Sequence, residues 1–488
     1  MPTNISRAEL FAGIPLERRC TSSDVKTVTK NYGDDIFAVV LDDDPTGTQS
    51  VSALPVLTSW RPEDFSWAMQ TGARAVYVMT NSRSLDEESD REITEAIVHA
   101  AYQARREIKD PRSLVFISRS DSTLRGHFPL EPDVISLAIN SEDAQVDGYV
   151  LVPAFPDAGR FTINSIHYTG SHAQGYVPVS ESEFAKDATF GYRSSFLPDW
   201  VAEKSSNRYR SADVVRVTLQ MIREQTDELY QVFCNAPSGT IFVCDTVSEA
   251  DLRVISCALI QAESKGKRFV YRVGPPFVRA RLGQDVKAPL TAEELSDLSH
   301  NQLAVKTSTA HGLIVVGSHV GMTSRQLAHL QSHINATTIE LDVAQVIADE
   351  NDEYLPSIVQ KVVTQLEEST VILATSRNLV TGVDADDSLR IARAVSQALV
   401  DIVYQAVSLR RPQFVIAKGG ITSSDVASKG LRITKAQVIG PMLPGIVSLW
   451  QSHDGIAPGV PYVVFPGNVG DDTSLTEVTK KLLESRKS

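Results

Sequence analysis

The chain has 488 residues, of which 42% are hydrophobic and 22% are charged. This composition is that of an ordinary globular protein and excludes disordered, collagen-like and low-complexity chains. Asp and Glu (60) outnumber Lys and Arg (47), which gives a net charge of −13. We therefore expect no nucleic-acid partner, because contacts with phosphate backbones need a basic surface.

The sequence shows no targeting or membrane segment. No apolar run approaches the length of about 18 residues that indicates a transmembrane helix, and the first residues lack the apolar core of a signal peptide. The four cysteines contain no CxxC pair, and three of them lie in or near apolar stretches. We therefore expect buried, reduced thiols, no membrane partner and a cytoplasmic protein.

Short β-branched runs recur along the chain and predict the buried strands of parallel sheets. In chain order they lie at 36–41, 75–79, 114–118, 149–152, 241–244, 269–273, 313–316, 371–374, 414–417 and 462–465. Helical patterns at 86–108, 214–233 and 388–407 lie between them. Strands that alternate with helices predict an α/β fold with mainly parallel sheets flanked by helices.

The chain divides into two predicted domains with a cleft between them. The polar segment 288–306 contains no strand pattern, and we place the boundary there, which gives domains of 1–300 and 301–488. Residues 154–210 are rich in Ser, Gly, Pro and aromatic residues and show weak periodicity. This segment is predicted to be a long irregular excursion from the first sheet.

Polar residues follow the predicted strands of the first domain, at the edge where open parallel sheets bind ligands. These residues combine carboxylates with arginines: Asp42, Asp43, Asp44, Arg83, Arg119, Asp121 and Arg125. Arginine forks suit a carboxylate or a phosphate, and carboxylates suit hydroxyl groups or a metal. The adjacent acids 42–44 repel one another unless something positive binds them. The set indicates a site for a polyhydroxylated acid.

The loops of the second domain are rich in glycine and hydroxyl side chains instead. The candidate residues are Ser318, Lys418, Gly419, Gly420, Ile421, Thr422 and Gly467. Exposed backbone N–H groups at such turns and helix N-termini cradle phosphates. We expect Gly420 to occupy a turn with no room for a side chain and with a positive φ. These loops indicate a nucleotide-phosphate site.

Structural interpretations stay open for several of these residues. Residues that follow strands are often turn or N-cap residues. Arg119, Asp121 and Arg125 would also suit an internal salt-bridge cluster, and 418–420 would suit a tight turn with a solvated lysine. The histidines at 127, 167 and 319 are expected to be structural, and the acids at 471 and 472 are expected to mark a helix N-terminus.

Taken together, the loops resemble those of the four-carbon acid sugar kinase family. The resemblance rests on the motifs DDPTG at 43–47, NSR at 81–83 and DSTLRG at 121–126. In the second half it rests on GS at 317–318, GGIT at 419–422 and GNVG at 467–470. The resemblance spans about residues 36 to 480. It implies an N-terminal domain that binds the sugar acid and a C-terminal domain that binds ATP, with the site between them.

The resemblance implies an ATP-dependent kinase that phosphorylates a hydroxyl of a four-carbon or related sugar acid, with Mg²⁺. Asp43 and Asp44 are the candidate catalytic residues: one would orient or deprotonate the attacking hydroxyl, and the other would bind Mg²⁺ through water. Arg83 and Arg125 would hold the substrate carboxylate. No metal ligands can be assigned.

Two alternatives remain from the sequence. An aldolase, lyase or ligase that acts on a carboxylate would use the same polar loops, and a two-domain sensor would bind a sugar acid without turnover. A homodimer is the expected assembly, because closed two-fold symmetry is the commonest arrangement of soluble proteins.

Overall fold

The computed structural model describes residues 4–32, 35–44, 47–142, 144–301, 308–348, 353–376 and 385–485. The chain divides into two compact units. The first contains Met1–Gly47 and Trp60–Val286, and the second contains Thr48–Ser59 and Lys287–Ser488.

The boundary lies earlier in the chain than residue 300, where the sequence pattern placed it. Residues 287–300 belong to the second unit. Leu290 and Leu295 are buried in the apolar core of that unit, together with Leu327 and Leu330. Burial of a large aliphatic side chain contributes about 1.5–3 kcal/mol. This gain explains why the segment packs with the second unit.

The strands of the described residues are numbered in chain order. They are β1 (Ile36–Asp42), β2 (Leu54–Leu57), β3 (Ala75–Met79), β4 (Ser113–Arg119), β5 (Gly148–Val152), β6 (Arg160–Ile163), β7 (Ile166–Ser171), β8 (Gly175–Pro178) and β9 (Val215–Val217). They continue with β10 (Thr240–Cys244), β11 (Phe269–Val273), β12 (Leu313–Val316), β13 (Ala336–Leu341), β14 (Thr370–Thr375), β15 (Val415–Lys418), β16 (Lys435–Leu443), β17 (Val447–Ser452) and β18 (Pro461–Phe465).

The helices of the first unit are α1 (Arg7–Leu10), α2 (Ser22–Tyr32), α3 (Pro62–Gln70), α4 (Glu87–Ile108), α5 (Leu130–Ser141), α6 (Leu197–Lys204), α7 (Leu219–Glu224), α8 (Thr226–Asn235), α9 (Glu249–Glu263) and α10 (Pro275–Arg281). Those of the second unit are α11 (Ala292–Asn301), α12 (Gly321–His333), α13 (Val343–Ala348), α14 (Tyr354–Gln365), α15 (Ala385–Leu409), α16 (Gly420–Asp425) and α17 (Ser474–Glu484).

Each unit is built on its own arrangement of strands. The main sheet of the first unit has the order β3-β1-β4-β11-β5-β10-β9, and every neighbouring pair is parallel. In the second unit β13-β14-β12-β15-β18 are parallel, and β17, β16 and β2 follow in antiparallel order. The predicted α/β class, with mainly parallel strands flanked by helices, is confirmed.

The local sequence explains the elements that carry the site. All seven residues of β1 are buried, because its apolar run is covered on both faces as in a central parallel strand. The helix α4 begins after Asp86, whose side chain accepts a hydrogen bond from the N–H of Ser89. Acidic residues fill its first turn and arginines its last, which favours the helix dipole.

Two predicted segments differ from the structure. The single helix predicted at 214–233 is wrong: the chain there forms β9, α7 and α8, because Thr218 caps a new helix directly after the strand. The segment 154–210 contains an antiparallel sheet of β6, β7 and β8, followed by α6. Its residues therefore form regular structure that a weak alternating pattern did not reveal.

Two further expectations concern cysteines and membranes. All four cysteines are free, but only Cys244 is buried; Cys20, Cys234 and Cys257 are half-buried, so the predicted burial is correct for one thiol. Within the ranges described above, no helix combines the length and the apolar character needed to cross a bilayer.

Candidate active site

The acidic run after β1 and the arginine after β3 come together because β1 and β3 are adjacent parallel strands. The register places Asp42, the last residue of β1, beside Met79, the last residue of β3. The chain beyond β3 forms a short 3₁₀ turn, Ser82–Ser84, which contains Arg83. Both loops therefore leave the sheet at the same edge.

Arg83 binds two carboxylates at once. Its Nη2 donates to Oδ1 of Asp43 at 2.7 Å, and its Nε donates to Oδ2 of the same residue at 3.2 Å. Its Nη1 donates to Oδ2 of Asp44 at 3.2 Å. The positive partner that the acidic run requires is thus supplied by the protein itself.

Asp42 has a separate partner in Arg119, which lies beside it at the end of β4. Nη2 of Arg119 contacts Oδ1 of Asp42 and donates to the carbonyl oxygen of Asp44 at 2.9 Å. Both side chains of the ion pair are almost completely buried. A Cβ at Gly47 would overlap the pair, so a glycine is needed there. Arg119 therefore forms an internal ion pair, but with Asp42 and not with Asp121 as the sequence suggested. Its contact with substrate stays a prediction.

Burial distinguishes the two acids that share Arg83. The side chain of Asp43 is 2% exposed, whereas that of Asp44 is 28% exposed. Burial raises the pKa of Asp43 to about 7, and the charge of Arg83 only partly opposes this shift. Asp44 is therefore the acid of this pair that a ligand in solvent can reach.

The loop after β4 carries a second acid and arginine. Nε of Arg125 donates to Oδ2 of Asp121 at 2.7 Å, and the hydroxyl of Thr123 donates to the same oxygen. Burial alone would raise the pKa of Asp121, but Arg83 and Arg125 outweigh it and lower the pKa to about 2. Arg125 is 27% exposed and lies over the ring of Phe184. Its guanidinium thus belongs to an ion pair and still reaches solvent.

A buried polar network beneath these loops was not found from the sequence. Glu131 accepts hydrogen bonds from the hydroxyl of Ser82 at 2.7 Å and from that of Ser118 at 2.5 Å. Nη1 of Arg272 lies 3.6 Å from Glu131. Arg272 is the one charged residue of the apolar strand β11 and is 4% exposed. In the sequence, the arginine within the apolar run of β11 is the feature that could have indicated this network.

Two histidines of the first unit have structural partners. His127 Nε2 lies 3.1 Å from the carbonyl oxygen of Ser82. His167 bonds to the hydroxyl of Thr162 at 2.9 Å and to the carbonyl oxygen of Ser122 at 2.8 Å. Burial lowers the pKa of His167 to about 4, so its ring is neutral at physiological pH. These contacts agree with the structural interpretation of both residues.

Three loops meet in the second unit because β12, β15 and β18 are adjacent parallel strands. A Cβ at Gly467 would lie 2.8 Å from Oγ of Ser318, and one at Gly419 would lie 3.3 Å from Cβ of Ser318. The same Cβ at Gly419 would lie 2.9 Å from Oγ1 of Thr422. The structure thus brings these four candidate residues together at one edge of the sheet.

Thr323 joins two of these loops and was not found from the sequence. Its buried hydroxyl lies 2.9 Å from the carbonyl oxygen of Gly467 and 3.1 Å from Oγ of Ser318. Thr323 lies in the first turn of α12, which follows the loop of Ser318. A threonine five residues after the serine was the available signal.

Lys418 is not the solvated lysine of a surface turn. It is completely buried at the end of β15, and its Nζ donates to the carbonyl oxygen of Pro466 at 2.7 Å. The ammonium group also lies 4.0 Å from the ring centroid of Phe465. Burial lowers the pKa of Lys418 to about 7. Its contact with a nucleotide stays a prediction.

The conformational constraint expected at Gly420 belongs to its neighbour. A Cβ at Gly420 would have nothing within 4 Å, and its φ lies outside the left-handed region, so this expectation is wrong. Gly419 has a φ of +132°, which side chains rarely adopt. The physical reason is that α16 begins at Gly420, which has helical geometry, while Gly419 makes the turn before it. Ile421 is 59% exposed on the same short helix.

Asp471 and Asp472 lie directly before α17, as expected of acids that mark a helix N-terminus. Oδ1 of Asp471 accepts hydrogen bonds from the N–H of Thr473 at 3.0 Å and the hydroxyl of Ser474 at 2.9 Å. Asp472 pairs with Arg325 at 2.8 Å. Of the residues whose placement is described, no group of three His, Cys, Asp or Glu side chains is arranged to hold a metal ion.

The two halves of the chain match a sugar-binding and a nucleotide-binding domain. The model of a sugar-binding N-terminal domain matches residues 38–281, and that of a nucleotide-binding C-terminal domain matches residues 313–475. An enzyme built from this pair of domains is a sugar-acid kinase. The chain belongs to the four-carbon acid sugar kinase family.

Individual relatives agree with this family. The chain is 24% identical over 455 residues to D-threonate kinase of Salmonella typhimurium strain LT2. The aligned residues cover 90% of this chain and 96% of the relative. Two solved structures share the fold at 18% identity: a Haemophilus influenzae protein of the DUF1537 family (TM-score 0.62) and a Salmonella typhimurium LT2 protein (TM-score 0.64). Each covers 91% of this chain and 99% of the neighbour. The kinase assignment is confirmed.

Proposed function

We propose that this kinase transfers the γ-phosphoryl group of ATP to a hydroxyl of a four-carbon trihydroxy acid of the threonate type. The substrate class follows from the relative that acts on D-threonate. The observation that carries the proposal is the pair of carboxylates, Asp43 and Asp44, held by the single guanidinium of Arg83. Such an arrangement presents an oriented carboxylate to a hydroxyl without a mobile side chain.

Asp44 is the residue that contacts the attacking hydroxyl in this proposal. It is the more exposed acid of the pair, and Arg83 occupies one of its oxygens. A carboxylate in this position accepts the hydrogen bond of the hydroxyl and directs its lone pair toward the phosphorus. Asp43 is a positioning residue, because both of its oxygens face Arg83 and it is buried.

Arg125 binds the carboxylate of the substrate in this proposal. Its Nε is engaged with Asp121, but 27% of its side chain remains exposed. The planar fork of arginine matches a carboxylate with two parallel hydrogen bonds. Arg83 was assigned the same task from the sequence, but its three contacts with Asp43 and Asp44 favour a role within the acidic loop.

The nucleotide is assigned to the cluster of Ser318, Gly419, Thr422 and Gly467. Backbone N–H groups at closely packed turns provide donors for phosphate oxygens. Gly420 supports this assignment, because the space beside it is free of protein atoms within 4 Å of a Cβ. Lys418 lies under the cluster and would add positive charge, although its ammonium already bonds to Pro466.

Mg²⁺ would reach the site on the phosphates of ATP. The carboxylates of Asp43 and Asp44 both face Arg83, so they do not form a cage for a free cation. Mg²⁺ usually keeps several waters and binds through phosphates and one or two carboxylates. Exposed Asp44 fits a contact through water. When bound, the ion neutralises phosphate charge. The cytoplasmic location and the homodimer stay predictions.

The test is a coupled assay of ADP release with ATP, Mg²⁺ and the four stereoisomers of 2,3,4-trihydroxybutanoate. We expect turnover with at least one isomer, and the phosphorylated product identified by mass spectrometry. Asp44→Asn is the matched control, because it keeps the shape of the side chain and removes the carboxylate. Absence of ADP release with every isomer, together with absence of ATP binding in calorimetry, would contradict the proposal.

A further inference from the structure

Two cysteines that the kinase site does not use line the same surface pocket of the first unit. Cys20 precedes α2, and Cys257 lies on α9, the helix against which α2 packs. Each of the two thiols shifts the pKa of the other. Both side chains are half-buried and line one surface pocket of about 320 Å³. A small molecule in solvent can therefore reach the pair.

Arginines lie close to Cys20, and two acids, Asp24 and Asp227, line the same pocket. Arg18 and Arg19 line the same pocket, and Nη1 of Arg253 donates to the carbonyl oxygen of Cys20 at 3.4 Å. The neighbouring thiol of Cys257 lowers the pKa of Cys20, and the charges of Arg253 and Arg18 act in the same direction. Burial and the carboxylate of Asp24 oppose this shift without reversing it. The thiolate is the reactive form of cysteine, and such surroundings are typical of reactive thiols.

The other two cysteines provide an internal comparison. Cys234 is also half-buried, but it interacts with the hydroxyl of Tyr230. Cys244 is completely buried in β10, and burial raises the pKa of its thiol. Neither shares a pocket with a second thiol and with arginines, so the chain carries matched controls for the reactivity of Cys20.

We propose that Cys20 and Cys257 form a peroxide-reactive site that closes into an intrachain disulfide. The thiolate sulfur of Cys20 attacks one oxygen of hydrogen peroxide. The O–O bond breaks, Cys20 becomes a sulfenic acid, and the hydroxide that leaves takes up a proton to form water. Cys20 loses two electrons in this step, and the peroxide gains them.

The second step uses the neighbouring thiol. The sulfur of Cys257 attacks the sulfur of the Cys20 sulfenic acid, the S–O bond breaks, and the S–S bond forms. The hydroxide that leaves takes the proton of Cys257 and forms a second water. The sum is two thiols and one peroxide converted to one disulfide and two waters.

The experiment treats the whole protein with graded hydrogen peroxide, alkylates the remaining thiols and digests the chain with trypsin without reduction. Cleavage after Arg19, Lys26, Arg253 and Lys265 places the two cysteines on peptides 20–26 and 254–265. We expect these peptides to appear as one disulfide-linked species, two hydrogen atoms lighter than their sum, that dithiothreitol separates. Cys20 should be oxidised roughly tenfold faster than Cys234, since the thiolate is the nucleophile.

Two variants distinguish the roles of the thiols. Cys257→Ser should abolish the linked species and leave a sulfenic acid on Cys20 that dimedone traps, whereas Cys234→Ser should leave the linked species unchanged. The inference would be overturned if both thiols of the treated wild-type protein remained open to alkylation. It would also be overturned if Cys20 reached the sulfinic or sulfonic acid without the linked species. The result is independent of the kinase activity, because the readout is the mass of peptides.

Discussion

Arg83 binds both carboxylate oxygens of Asp43: Nη2 lies 2.7 Å from Oδ1, and Nε lies 3.2 Å from Oδ2. Its third nitrogen, Nη1, lies 3.2 Å from Oδ2 of Asp44. A single cation therefore orders two acids that differ in burial. Buried Asp43 fixes the position of the Arg83 guanidinium, and this guanidinium in turn fixes the position of the more exposed Asp44. This order of dependence predicts different consequences for the two carboxylates.

Asp44→Asn is expected to lower kcat by about 10²–10⁴, the usual effect of removing a positioned acid–base group. Asp43→Asn is expected to lower kcat as well, but also to lower the melting temperature, because it leaves Arg83 with a weaker partner in a buried place. Steady-state assays of ADP release and thermal melts of both variants measure these effects. Nucleotide affinity by calorimetry should stay at the wild-type value in both.

The matched control for this pair is Asp213→Asn, which removes an exposed carboxylate that pairs with Arg210 on the surface of the same unit. It should leave kcat and melting temperature nearly unchanged, since exposed ion pairs contribute about 0–1 kcal/mol. Wild-type kcat in Asp44→Asn would remove Asp44 from the contact with the hydroxyl.

The pH dependence of activity follows from Asp43. Burial raises its pKa to about 7, and the negative charge of Glu131 adds to this shift. Below this pKa the carboxyl is protonated and loses its ionic hold on Arg83, so kcat/KM should fall as pH drops through about 7. Glu131→Gln removes one charge that favours the protonated form. We therefore expect the acid limb of the pH profile to move to lower pH in this variant.

The measurement is kcat/KM for the sugar acid from pH 5 to pH 9 in the wild type and in the variant. This range brackets an acid limb at about pH 7. Glu95→Gln is the control, because it removes an exposed carboxylate from α4 and should leave the profile unchanged. An acid limb that keeps its position in Glu131→Gln, or moves to higher pH, would contradict the assignment of the limb to Asp43.

Much of the fold could be predicted from the sequence, because buried parallel strands are marked by continuous apolar runs. The strand β1 is an example: its run of apolar residues indicates both its position in the chain and its burial between two neighbouring strands. The short strand β9 could not be predicted, because three residues are too few to show the alternation of a strand. The helical pattern of the following residues also continues through them. The second strand, β2, joins the second unit through pairing with β16, which is distant in sequence.

The site was only partly predictable for a related reason. The acids and arginines at strand ends were found because they stand out in apolar surroundings. The ion pairs among them could not be predicted, because the sequence allows Arg83 to face either a ligand or Asp43. Only the register of the adjacent strands decides between these two arrangements. Glu131 and Arg272 were missed because no motif of adjacent residues marks either of them.

Arg125→Lys is expected to raise KM for the sugar acid about tenfold or more, because lysine keeps the charge but loses the planar fork. The hydrogen bond from Nε to Asp121 is also lost, so we expect a small decrease in melting temperature. Arg210→Lys, on the exposed surface, is the matched control and should change neither value. A large loss of stability with unchanged KM would instead make Arg125 a purely structural partner of Asp121.

Gly419→Ala and Gly420→Val form a pair that separates backbone strain from ligand contact. Gly419 has a φ of +132°, and a Cβ there would lie 2.9 Å from Oγ1 of Thr422. We expect Gly419→Ala to destabilise the protein by about 1–3 kcal/mol, the usual cost of a strained backbone conformation. Thermal melts and denaturant titrations measure this loss.

Gly420→Val should behave differently, because a Cβ at this position meets no protein atom within 4 Å and the residue begins a helix. The fold has room for the side chain, so the melting temperature should stay close to that of wild type. If the nucleotide phosphates occupy this space, the branched side chain must exclude them, and ATP affinity should fall sharply while binding of the sugar acid to the first unit survives. Calorimetric titration of each ligand into the variant decides the matter. Unchanged ATP affinity in a folded Gly420→Val protein would show that the nucleotide does not approach the turn before α16, and the phosphates would then have to be assigned to the loops of Ser318 and Gly467 alone.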